Sequence, residues 1–198
     1  MCEVLCVTSR LLCREDFLSR IERLAEARPK GIILREKDLP EIEYTALAKT
    51  VLGICEKYGV PCILHSFGSA AEELGVTALH LPLPKLRELP KSKRSCFTTL
   101  GASCHSADEA KEAEALGCTY ITAGHVFDTD CKKGLAGRGL EFLERVCESV
   151  SLPVYAIGGI NAENAKQVIG AGAKGVCVMS GAMVCDDPRE YLENFKVI

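Results

Sequence analysis

Residues 154–182 read Val154-Tyr155-Ala156-Ile157-Gly158-Gly159-Ile160-Asn161-Ala162-Glu163-Asn164-Ala165-Lys166-Gln167-Val168-Ile169-Gly170-Ala171-Gly172-Ala173-Lys174-Gly175-Val176-Cys177-Val178-Met179-Ser180-Gly181-Ala182. A short apolar run, Val154–Ile157, stops at paired glycines. Asn161 then supplies a helix-start signal, and a second apolar run, Gly175–Met179, stops at Ser180-Gly181. This is strand, glycine loop, helix, strand, and the same alternation extends back through the chain. Strand-like runs recur at Val4–Thr8, Gly31–Arg35, Cys62–His65, Ala78–Leu83, Phe97–Ala102 and Tyr120–Phe127.

Helical patterns lie between them. Tyr44, Leu47, Val51, Ile54 and Tyr58 recur at spacings of three and four, as do Phe17, Ile21 and Leu24. Ala110, Ala113 and Leu116 follow Ser106, a predicted N-cap, and Asp187 precedes Pro188 at a first helical position. Residues 84–95, rich in Lys, Arg and Pro, predict a degenerate helix. Eight strands alternating with helices over 198 residues predict an α/β fold, a compact single-domain (β/α)8 TIM barrel spanning residues 1–198. A doubly wound open sheet is the competing architecture, but it usually needs fewer strands at this length.

Composition narrows the function. Apolar residues make up 47% of the chain, enough for a substantial core, and the net charge of −3 argues against a nucleic-acid binder. No apolar stretch is long enough to cross a bilayer, and Met1–Leu5 begins in a strand pattern without a cleavable leader, so a cytoplasmic enzyme is expected. The twelve cysteines form no C-x-x-C pair. Cys6, Cys62, Cys96 and Cys177 lie within apolar runs, which predicts reduced thiols packed as small hydrophobes, and no metal site.

A barrel builds its site at the C-terminal ends of its strands. That rim would receive Arg35-Glu36-Lys37, His65-Ser66, Ser103 to His105, Gly124-His125, Gly158-Gly159 and Ser180-Gly181. The loops after strands seven and eight commonly hold phosphate, because glycine admits the anion to backbone N–H groups. The competing reading is that these glycines only turn the chain. Arg35 and Lys37, two apart, should point together into the rim, leaving Glu36 to pair with a cation elsewhere. His80, between leucines, reads as a satisfied core or rim residue, and His65 and His105 stay ambiguous. His125 ends a strand before Lys132-Lys133 and is the candidate acid/base, because imidazole can exchange a proton near neutral pH.

The segments Leu34-Arg35-Glu36-Lys37, Gly101-x-Ser103-x-His105, Gly124-x-x-Phe127-x-Thr129, Ala156-Ile157-Gly158-Gly159-Ile160 and Val178-Met179-Ser180-Gly181, in this order, resemble the thiamine phosphate synthase/TenI superfamily. Gly124-His125-Val126-Phe127-x-Thr129-Asp130-Cys131-Lys132-Lys133-Gly134 resembles its TenI branch of thiazole tautomerases. The synthases typically show proline in place of His125 and threonine in place of Cys131. They carry carboxylates at the positions of Ser66 and Lys85, and a glutamine where this chain has Ile33.

The resemblance implies a cofactor-independent tautomerase of thiamin biosynthesis. It would aromatise a carboxythiazole phosphate, a small-molecule partner, by a proton shift through His125. Phosphate would lie on Gly158, Gly159, Ser180 and Gly181. Arg35, Lys37, Ser103, Thr129 and Lys132 would contact the rest of the substrate. Two alternatives stand beside it. One is a thiamine phosphate synthase, joining thiazole phosphate to hydroxymethylpyrimidine diphosphate with Mg²⁺, and the other is a non-catalytic regulator. No nucleic acid or membrane partner is expected, and a homo-oligomer is compatible with the sequence.

Overall fold

Leu5 and Val7 point to one side of the first strand, Val4 and Cys6 to the other, and all four are buried. A strand apolar on both faces must be covered on both. The computed structural model, which describes residues 2–196, does this by closing the sheet on itself. The strands are β1 (Glu3–Val7), β2 (Gly31–Leu34), β3 (Cys62–His65), β4 (Ala78–Pro82), β5 (Thr99–Cys104), β6 (Tyr120–Gly124), β7 (Val154–Ile157) and β8 (Gly175–Val178). They form a closed parallel barrel in chain order, β8 returning to β1 through Val4↔Val176 and Leu5↔Cys177. Leu5, Val7, Ile33, Ile63, Tyr120, Tyr155 and Cys177 fill its interior.

The outer faces of the strands meet the helices: α1 (Phe17–Glu26), α2 (Glu41–Tyr58), α3 (Gly68–Glu73), α4 (Leu83–Glu88), α5 (Lys91–Arg94), α6 (Ala107–Ala115), α7 (Leu140–Ser149), α8 (Ala165–Gly170), α9 (Ser180–Val184) and α10 (Pro188–Lys196). Ser106 caps α6 by accepting from the Glu109 N–H, and Asp187 accepts from the Arg189 and Glu190 N–H groups at the start of α10. Among the described residues no helix is long and apolar enough to cross a membrane.

Several boundaries differ from the sequence expectation. Residues 84–95 form parts of two short helices, α4 and α5. β5 starts at Thr99 and not Phe97, because the Phe97 N–H closes α5 on the Arg94 carbonyl and only Thr99 reaches β4, through the Thr77 carbonyl. Asn161 caps a turn, accepting from the Glu163 and Asn164 N–H groups, and α8 begins only at Ala165. Cys6, Cys62 and Cys177 are buried free thiols as predicted. Cys96 is exposed, sitting in the turn after α5 with its thiol on the Ser92 carbonyl.

Candidate active site

The strand ends enclose a pocket of about 370 Å³. Arg35, Lys37, Ser103, His125, Thr129, Lys132, Gly158, Gly159, Ser180 and Gly181 all line it, so the residues picked from separate segments meet in one place. Its floor includes the apolar side chains of Val7, Ile157, Cys177 and Met179. This combination of apolar wall and a few convergent polar groups is typical of small-molecule sites.

His125 follows directly on β6, which ends at Gly124 and not at Phe127. The chain stays bound to the loop after β7 all the same: the Val126 N–H donates to the Ile157 carbonyl at 2.9 Å and the Phe127 N–H to Gly158 at 3.0 Å. This fastens the His125 loop to the glycine pair. Gly158 has φ +100°, and a Cβ there would lie 2.3 Å from His125 Cβ. At Gly181 a Cβ would lie 2.2 Å from the Tyr191 hydroxyl oxygen. Both missing side chains therefore make room for neighbouring protein groups. This gives the turn-and-packing reading of these glycines a firm basis, whatever their N–H groups also bind. Thr129 lines the pocket while its hydroxyl accepts weakly from the Cys131 N–H at 3.4 Å.

The end of β2 is held from behind. Thr8 Oγ donates to Glu36 at 2.6 Å and accepts from the Arg35 N–H at 2.9 Å. Glu36, 2% exposed, also accepts from the Arg10 N–H at 2.9 Å and lies 3.5 Å from the Arg10 guanidinium. Burial raises its carboxyl above the ordinary glutamate range despite these contacts. The Tyr44 hydroxyl donates to the Leu34 carbonyl at 2.8 Å and accepts from the His65 N–H at 2.9 Å, joining the ends of β2 and β3. Glu36 thus turns away from the pocket to a cation, as its spacing predicts, and Arg35 and Lys37 face the pocket. Lys37 is lowered below the usual lysine value, chiefly by desolvation and then by the charges of Arg35, Lys132 and Lys85.

His80 is the satisfied core residue that its place between leucines predicts, and His65, ambiguous in the sequence, also finds partners. His80, 2% exposed, lies between the Tyr120 hydroxyl and Ser103 Oγ, each 2.9 Å from a ring nitrogen. Gly101 makes room for this, since a Cβ there would be 2.2 Å from the Tyr120 ring and 2.5 Å from His80 Nδ1. His65 packs its ring on His80 with centroids 5.5 Å apart, and its Nδ1 lies 2.7 Å from the Ser66 hydroxyl. Burial pushes His80 down to about 3, with Lys37 adding to it. Burial, then the neighbouring His80 and cations, pushes His65 to about 2. Both rings are neutral at physiological pH, and His80 orients the Ser103 hydroxyl at the pocket. His105 also lines the pocket, with its backbone N–H on Glu109 at 2.6 Å.

The rim offers little to a divalent metal. Mg²⁺ takes oxygen ligands, above all carboxylates. Ser66 and Lys85 stand where the resemblance sets carboxylates, and Lys85 Nζ donates to the Ser66 carbonyl at 3.1 Å. Glu36 is turned away, and among the described residues no three His, Cys, Asp or Glu side chains converge. The donors present do not fit a Mg²⁺ site.

The family described as thiamine monophosphate synthase (TMP-TENI) matches residues 4–182. A thiamine-phosphate synthase of Fusobacterium nucleatum is 32% identical over 199 residues, covering 98% of this chain and 95% of that protein. One from Clostridium acetobutylicum is 34% identical, covering 89% and 85%. A solved thiamine phosphate pyrophosphorylase from Pyrococcus furiosus superposes with a TM-score of 0.84 at 30% identity, covering 98% and 94%. These names overturn the expectation of a thiazole tautomerase: relatives similar over most of the chain are named as synthases, which favours the transferase alternative.

Proposed function

Because the chain belongs to the thiamine monophosphate synthase family, we propose that it is a transferase joining a thiazole phosphate to hydroxymethylpyrimidine diphosphate to form thiamine phosphate. The observation that carries this reading is a single pocket with two different anion-binding features. Glycine loops after β7 and β8 form one wall, Arg35 and Lys37 supply cations from the end of β2, and Lys132 supplies one from the loop after β6.

In this reaction the lone pair of the thiazole nitrogen forms the new N–C bond at the pyrimidine methylene carbon. The C–O bond to the diphosphate breaks, and its electron pair leaves with the diphosphate. Neither bond change moves a proton, so the main demand on the protein is neutralising the leaving group's charge. The backbone of Gly158, Gly159 and Gly181, with Ser180, would take the thiazole phosphate. Arg35, Lys37 and Lys132 would take the diphosphate, and Ser103 and Thr129 would contact the rings. His125 then serves as a hydrogen-bonding contact at the edge of the glycine wall. The working unit, monomer or homo-oligomer, follows from sedimentation of the full chain.

The test is incubation of the protein with both substrates, and with each alone, followed by chromatographic detection of thiamine phosphate. Product only when both are present supports the reading. No product with or without added Mg²⁺ refutes it.

A further inference from the structure

Ser66 and Lys85 follow different strands, β3 and β4, yet the barrel brings the Lys85 ammonium onto the Ser66 carbonyl at 3.1 Å. Where a metal-binding pair would stand, there is one positive charge. Lys85 also rests 5.3 Å from the Phe67 ring centroid, which with the Ser66 contact holds its long side chain over the rim. Three further cations, Arg35, Lys37 and Lys132, line the adjacent pocket. Among the described residues, none of the four lies within ion-pair distance of an acid. Arg10 behind them is paired, with Asp38 at 2.7 Å and Glu36 at 3.5 Å. Four like charges converging without counter-ions repel one another, and a polyanion seated among them turns that repulsion into binding.

Resting on the synthase reading above, we infer that Arg35, Lys37, Lys85 and Lys132 bind the diphosphate of the donor substrate directly, in place of a divalent metal. Lys85 occupies the side of the site that a metal would otherwise neutralise. As the C–O bond breaks, the electron pair and charge passing to the diphosphate are met by ammonium and guanidinium groups already in position.

The experiment is calorimetric titration of EDTA-treated full-length protein with inorganic pyrophosphate, repeated with Mg²⁺. Binding without metal, little changed by Mg²⁺ and weakened about tenfold by Lys85→Ala, is expected for the loss of one charged contact. A second variant reverses the logic. Ser66 has φ +72°, a left-handed conformation that aspartate accepts, so Ser66→Asp with Lys85→Asp should fold and bind pyrophosphate only when Mg²⁺ is supplied. Wild-type binding that requires Mg²⁺, or a Lys85→Ala variant that binds like wild type, overturns the inference. Thiamine phosphate formation separates the two claims. Product formed only with Mg²⁺ leaves the synthase reading standing and sinks this one. Metal-free pyrophosphate binding without product under any condition supports the anion site and sinks the synthase reading.

Discussion

Lowering the pH from 7 to 5.5 should destabilise this protein through two buried imidazoles. His65 is 4% exposed and His80 2% exposed, and their folded pKa values lie at about 2 and about 3 against an ordinary 6.5. The folded values are lowered, so the unfolded chain binds protons that the folded chain refuses. Stability is then full above pH 6.5 and is lost as pH falls toward the folded values. Between pH 7 and 5.5 each unfolded histidine gains protonation free energy of about 1.3 kcal/mol, or roughly 2.5 kcal/mol for the pair. The assay is urea unfolding at the two pH values, followed by far-UV circular dichroism because the chain has no tryptophan. In His80→Gln the amide can meet both the Tyr120 and Ser103 hydroxyls, so the fold should survive while the pH-dependent loss falls by about half. Glu36, raised by burial, titrates in the opposite direction, but it is common to both proteins and cancels in the comparison. An equal loss in both proteins would refute the burial argument.

His125→Ala should slow thiamine phosphate formation only about fivefold, the worth of one neutral hydrogen bond, because the proposed bond changes move no proton. A loss of about a hundredfold or more, the range of general acid–base catalysis, would show that the imidazole carries a proton in the slow step. Gly101→Ala, whose Cβ meets Tyr120 and His80, should cost about 1–3 kcal/mol in urea unfolding. Gly53→Ala, on the exposed side of α2 with nothing within 4 Å, should instead stabilise by about 0.5–1 kcal/mol; equal effects of the two would remove the packing explanation. Arg10→Ala leaves the buried Glu36 without its cation and should destabilise the fold by about 1–3 kcal/mol in the same assay, with pyrophosphate affinity the measure of how far the end of β2 moves.

The order of strands and helices was legible in the sequence because each is a local pattern. Val154–Ile157 and Gly175–Val178 are short apolar runs cut off by glycine, and α1 shows its buried face through Ile21 and Leu24. The residues of the site were legible for a related reason: a parallel barrel sends every strand end to one rim, so naming the strand ends names the rim. Arg35, Ser103, His125 and Gly158 meet in the pocket on that ground alone. The tautomerase expectation rests on the His125 segment and on the departures at Ile33, Ser66 and Lys85, all single positions or one loop, and similarity to synthases over nearly the full length of the chain overturns it.

What the sequence by itself determined, then, is the barrel and the membership of its rim, since backbone geometry fixes where each side chain points relative to its neighbours along the strand. Only the tertiary structure decided which side chains face one another. Tyr120, His80 and Ser103 come from β6, β4 and β5, Thr8 and Glu36 are 28 residues apart, and Lys85 meets the Ser66 carbonyl across 19 residues. These contacts depend on the stagger of parallel strands around a closed sheet, a property of all eight pairings together. No local run of residues encodes it.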